Sequence, residues 1–233
     1  MLTKEQVKSS VHIKSMLPFA ELFRAEKNTE ALDSIFEKSH NLWIENLNKI
    51  KGKVNYIMFC EAPPFDANGE VSNYIYDREG EAKGMYLKAS YKALKVVVDK
   101  YPSKAEMIDY LNSRGFLFID LLPLSINYTN KRGSEKYKKL LQYFWNGKGS
   151  NYNMNYFITQ SRLEHLDFKI NQEVKVSFAL KSTYNILNKL EDSNLYLGSK
   201  TICISNKDII GVDNSNFPNW KKIRESFTHN VTN

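Results

Sequence analysis

Apolar residues recur along this chain in two rhythms, helical spacings among charges and short unbroken runs, and their alternation lays out the elements. Leu17, Phe19, Leu22 and Phe23, then Leu32, Ile35, Phe36, Leu42, Trp43, Leu47 and Ile50, fall at helical spacings, so residues 11–50 read as helices. Pro18 suits a helix start and Gly52 a helix C-cap. Tyr56 to Phe59 is a short run of β-formers, a buried strand. Residues 65–84 then mix turn formers with aromatics and read as a long loop. Met85, Leu87, Ala89, Ala93, Leu94, Val97 and Val98 predict a helix over 85–100, ended by Tyr101-Pro102. A further helix to Arg114 starts at Ser103 or Lys104, with Ser103 and Glu106 at capping-box spacing and Gly115 just beyond its end.

The second half repeats the pattern. Phe116 to Leu124 is a second buried strand, and Glu173 to Leu180 a third, with Val174, Val176 and Phe178 on one side. The helix Ser182 to Leu190 follows, then a fourth strand at Lys200 to Ser205 and a last helix at Trp220 to Phe227. Helices followed by four strand-helix units predict a three-layer α/β/α domain around a central four-stranded, mainly parallel sheet. One domain spans residues 1–233: helices over 1–52, a first sheet half over 53–124, a segment over 125–173, and a second sheet half with the last helix over 174–233.

Composition narrows this only in part. With 233 residues, 42% of them hydrophobic and 25% charged, a core of ordinary size is expected. Met1 to Ser10 is polar and no apolar run is long enough to cross a bilayer, so a cytoplasmic protein without a membrane partner is expected. Cys60 and Cys203 lie in apolar runs and read as buried reduced thiols. His12, His40 and His165 stand alone, without a second ligand type at metal spacing. A net charge of +7 and a pI near 9.1 favour polyanionic partners.

The stretch carrying most chemistry is Asn55-Tyr-Ile-Met-Phe-Cys-Glu-Ala-Pro-Pro-Phe65, in which the first strand ends abruptly in an acid and two prolines. Glu61 then sits at the carboxyl end of a strand, where open α/β sheets bind ligands. The motif resembles the Gly-Glu-Ala-Pro-Gly signature that opens the active site in several branches of the uracil-DNA glycosylase superfamily. Cys60 and Pro64 stand where those branches carry glycine. The resemblance covers roughly residues 53–125 and 173–225, with gaps, and implies a glycosylase-like fold without a metal or redox cofactor. It also implies a monomer acting on DNA.

Asp120 interrupts the second strand, and a buried carboxylate requires a partner or an opening onto substrate. It either fixes the following turn or, as the resemblance implies, takes the place of the asparagine that reads the flipped base. An ionised carboxylate only accepts hydrogen bonds, and cytosine offers an exocyclic amine, so a cytosine-type base is expected rather than uracil, unless an apolar pocket keeps Asp120 protonated as a donor. Such a modified cytosine would suit superfamily members that act on phage DNA. Glu61, or else Asp66, would orient the attacking water. Tyr74 and Tyr76 would stack on the base or simply cover the sheet edge.

Lys131, Arg132, Lys136 and Lys139, interleaved with tyrosines, would hold phosphates or form the solvated side of a helix. The family's His-Pro-Ser loop has no histidine here. Asn214 and Ser215 would replace part of it, or cap the last helix. Two rival readings remain open at this point: a nucleoside- or nucleotide-processing hydrolase, and a nucleic-acid-binding protein without catalysis.

Overall fold

A computed structural model describes residues 29–64, 68, 70–71, 74–81, 85–95, 97–121, 169–189, 194–197, 200–203 and 218–228. Three strands form a parallel sheet in the order β2-β1-β3: β1 (Val54–Cys60), β2 (Phe116–Asp120) and β3 (Ile170–Phe178). Five helices accompany them: α1 (Thr29–Lys49), α2 (Met85–Leu94), α3 (Lys104–Ser113), α4 (Lys181–Leu187) and α5 (Trp220–Thr228). The α/β class is as expected, and the chain crosses from β1 to β2 through α2 and α3.

Central position explains the composition of β1. Tyr56, Ile57, Met58 and Phe59 are all buried, because neighbours cover both faces and a parallel centre strand has no solvated side. Register partners meet across the sheet, Tyr56 stacking on Phe116 at 4.6 Å and Phe59 tilted against Phe178 at 5.6 Å between ring centroids. Each such ring contributes about 1.5–3 kcal/mol by leaving water. Burial pushes the Tyr56 phenol's pKa far up, and the neighbouring Ser177 hydroxyl offsets only part of that.

Strand β2 lies at an edge of this sheet, and side chains close it. The Tyr76 hydroxyl accepts from the Phe118 N–H at 2.7 Å, and the Trp43 indole N–H donates to the Phe118 carbonyl at 2.9 Å. The outward-facing N–H and carbonyl of Phe118 are thereby paired by side chains. Trp43 is fully buried, so α1 is anchored by its indole.

At the amino edge the links are amides. Gly115, at φ 70, turns the chain from α3 into β2, and its carbonyl accepts the N–H groups of Asn55 and Tyr56 at 2.8 and 3.1 Å. The register of β3 slips beside it, since Val54 pairs with Ile170 but Tyr56 with Lys175. Asn171 bridges the slip, donating to Asn55 Oδ1 at 2.9 Å and accepting from the Glu173 N–H at 3.1 Å. Lys169 reaches the last turn of α1 and donates to the Leu47 carbonyl at 2.9 Å, where a cation complements the helix dipole.

Three expectations are corrected. The strand around Lys200 is not part of the parallel sheet: β5 (Lys200–Cys203) pairs antiparallel with β4 (Asn194–Leu197) as a separate hairpin. Leu197 pairs directly with Lys200, and among the described residues the parallel sheet has three strands rather than four. The helix expected over 85–100 ends at Leu94, because the β-branched run from Val96 to Val98 is a poor helix former; Val97 is left 66% exposed. The third strand begins at Ile170, ahead of Glu173.

Candidate active site at the carboxyl edge

The chain leaves β1 toward β2 on one side and later returns as β3 on the other. The carboxyl ends of β1 and β3 therefore flank a topological switch point, the usual place for a ligand crevice. Glu61 is the first residue beyond β1. Pro63 is buried behind it, and the two prolines fix the backbone of the turn. The carbonyls of β1 leading into this turn are taken: Phe59's accepts the Ala179 N–H at 2.8 Å, and Cys60's accepts the Leu121 N–H at 3.0 Å.

Asp120 ends β2 as the direct register partner of Cys60. Two carboxylates thus stand at the ends of adjacent parallel strands, Glu61 only 4% exposed and Asp120 only 5%. The thiol between them senses both. Burial pushes the Cys60 pKa well up, and the charges of Asp120 and then Glu61 push it further, so Cys60 stays a protonated thiol and is no nucleophile at neutral pH.

Asp120 has a specific donor, since the Tyr74 hydroxyl lies 3.0 Å from its Oδ2. Tyr74 and Tyr76 are core side chains, 1% and 3% exposed, set at a turn. Their rings meet edge to face at 5.9 Å, and Tyr76 meets Phe118 likewise at 6.2 Å. Tyr76 therefore covers the sheet edge, one of the two roles expected of it. A base stacking on either ring would first have to displace these neighbours.

The Tyr74 turn is itself pinned. Its carbonyl accepts the Asp77 N–H at 3.1 Å and the Lys104 ammonium at 2.5 Å. Lys104 is buried at the start of α3, which lowers its pKa, while the charge of Asp77 partly restores it. Arg78, next along the loop, pairs with Asp109 of α3 at 2.5 Å. The loop carrying Tyr74 is thus docked on α3 by two cations.

Of the residues expected to act, the structure brings together Glu61, Asp120 and Tyr74, with Tyr76 beside them. Asp66, Lys131, Arg132, Lys136, Lys139, Asn214, Ser215, His12 and His165 lie outside the described residues. The last helix is capped by Asn219, whose Oδ1 accepts the Lys222 N–H at 3.1 Å. Reading the sequence missed Lys104, whose place at a helix start gives no hint of burial, and the hydroxyl role of Tyr74. Among the described residues no group of histidine, cysteine and acid side chains could hold a metal ion, and no helix is long and apolar enough to cross a membrane. Comparison with family models, with curated proteins and with solved structures finds no match to this chain.

Proposed function

We propose that this chain hydrolyses an N-glycosidic bond, releasing a flipped-out, cytosine-type base from DNA at the carboxyl edge of its parallel sheet. One observation carries the reading: two buried carboxylates, Glu61 and Asp120, stand side by side where β1 and β2 end, Asp120 in register with Cys60 and Glu61 next along the chain. Charges are costly to bury, and placing two at one strand edge serves a ligand better than it serves stability. The resemblance of Cys60-Glu61-Ala62-Pro63-Pro64 to the glycosylase motif, and the net charge of +7, support the same reading.

In the reaction the base departs with the electrons of the C1′–N bond, and water adds to the cationic sugar. Glu61 orients that water, takes its proton and stabilises the sugar charge electrostatically; the proton passes finally to the base. Asp120 accepts a hydrogen bond from the exocyclic amine of the base. Unstacking the nucleotide costs a few kcal/mol, which favours damaged or single-stranded sites. Basic residues from Lys131 to Lys139 hold backbone phosphates.

The test is release of free base, read by mass spectrometry, from DNAs containing uracil, cytosine, 5-methylcytosine, 5-hydroxymethylcytosine or its glucosylated form. Release of a cytosine-type base, lost in Glu61→Gln, is expected. Release of uracil alone would overturn the role of Asp120, and no release from any DNA would overturn the reaction. In that last case, turnover of free nucleosides or nucleotides would point to a small-molecule hydrolase.

A further inference from the structure

We propose that Tyr74 is a positioning residue for Asp120, and that the site's preference for a base edge bearing a hydrogen-bond donor depends on the Tyr74 hydroxyl. The inference rests on the glycosidic reading for its choice of ligand, but the geometry behind it does not. Tyr74 Oη donates to Asp120 Oδ2 at 3.0 Å, across a sequence separation of 46 residues, with both side chains buried. A carboxyl group can rotate to offer either oxygen to a ligand. Fixing one oxygen with a phenolic donor leaves its orientation set before a ligand arrives.

The donor is held as firmly as what it holds. Lys104 and the Asp77 N–H both donate to the Tyr74 carbonyl, and the Tyr74 N–H donates to the Val71 carbonyl at 2.7 Å. The ring packs edge-on against Tyr76, whose hydroxyl in turn binds the backbone of Phe118, two residues before Asp120. Tyr74 and Asp120 are therefore referred to the same strand, one by packing and one by covalent continuity. Lys104 connects this unit to α3, so a buried ammonium with a lowered pKa serves as a strut for the loop.

The carboxylate held in this way is oriented to accept from an amine donor on the ligand. A carbonyl edge, as uracil presents at the same position, would face it acceptor to acceptor. Tyr74 thus contributes to specificity without touching the base.

The experiment compares wild type with Tyr74→Phe, which keeps the buried ring, and with Lys104→Met, which keeps most of the stem. The first readout is the carbon-13 signal of the Asp120 carboxyl in protein labelled at aspartate, assigned by its loss in Asp120→Asn. The second is the ratio of release rates for 5-hydroxymethylcytosine and uracil in otherwise identical DNA. Tyr74→Phe is expected to shift the Asp120 signal and to lower the ratio about tenfold or more, the scale of a hydrogen bond to a charged group. Lys104→Met should move both in the same direction by less. An unmoved Asp120 signal in a folded Tyr74→Phe protein overturns the inference, as does an unchanged ratio with active enzyme. If wild type releases no base from any DNA while Tyr74→Phe still shifts the Asp120 signal, the positioning role stands and the glycosidic reading falls.

Discussion

The two edges of one three-stranded sheet are built from different chemistry. At the amino edge, Asn55, Gly115 and Asn171 join the strands through neutral amides, each satisfying another, and Lys169 places its charge on the end of α1. At the carboxyl edge, the same strands end in Glu61 and Asp120, two acids in a nearly dry setting beside a protonated thiol. Neutral amides are inexpensive to bury once paired, whereas each buried charge costs several kcal/mol before its partners compensate. The contrast teaches a division of labour to be tested: one edge joins the strands through neutral amides, and the other gathers the acids on which the proposed chemistry rests.

Breaking the amino edge should therefore cost stability and spare the chemistry. Gly115→Ala is the most severe test. Its added Cβ would collide with the Lys53 carbonyl and crowd Asn55 Nδ2 at 2.8 Å, in a left-handed conformation that alanine resists. The expected loss in urea unfolding is about 2–5 kcal/mol, from the conformational strain and the overpacking together. Base release per folded molecule should remain. Trp43→Phe, which strips the indole donor from the Phe118 carbonyl and leaves a small void, should cost about 1–3 kcal/mol in the same assay.

Smaller effects separate local supports from the edges. Ser103 and Glu106 form a complete capping box, the Glu106 N–H donating to Ser103 Oγ at 3.3 Å and the Ser103 N–H to Glu106 Oε2 at 2.9 Å. Ser103→Ala should lower stability by about 1 kcal/mol. The carboxyl edge also predicts a pH dependence. Cys60 keeps its proton in the folded protein well above the ordinary thiol value of 9.0, while the unfolded chain releases it there. Its contribution is complete below that value and is lost as pH rises beyond about 9. Cys60→Ala should accordingly lose less stability than wild type between pH 8 and 10, measured by chemical unfolding at each pH.

What the sequence discloses follows the range of the interactions. The strand from Tyr56 to Phe59, the acid and prolines after it, the capping box at Ser103 and the glycine at 115 are local signals, and the structure has each in place. The placement of Glu61 and Asp120 at strand ends was legible for the same reason. The partner of Asp120 was not, because no local pattern joins Tyr74 to a residue in another element. Nor does periodicity reveal that Trp43 would close a sheet edge with its indole. The hairpin at Asn194 to Cys203 did carry a signal, the Gly198-Ser199 pair between two β-prone runs, which the strand-helix alternation elsewhere in the chain obscures. The early end of α2 likewise lies in Val96 to Val98, whose hydrophobicity fits a helical stripe while their branching opposes it.

The central claim is that the carboxyl edge exists for chemistry rather than for stability, and Glu61→Gln tests it most directly. The substitution keeps the shape of the side chain and removes the base. Its base release from DNA containing 5-hydroxymethylcytosine should be measured beside wild type, together with urea unfolding of both. The account predicts release falling by about a hundredfold or more, the usual contribution of a positioned general base, with stability unchanged or raised. Release equal to that of wild type, or a wild type that releases nothing, would contradict it.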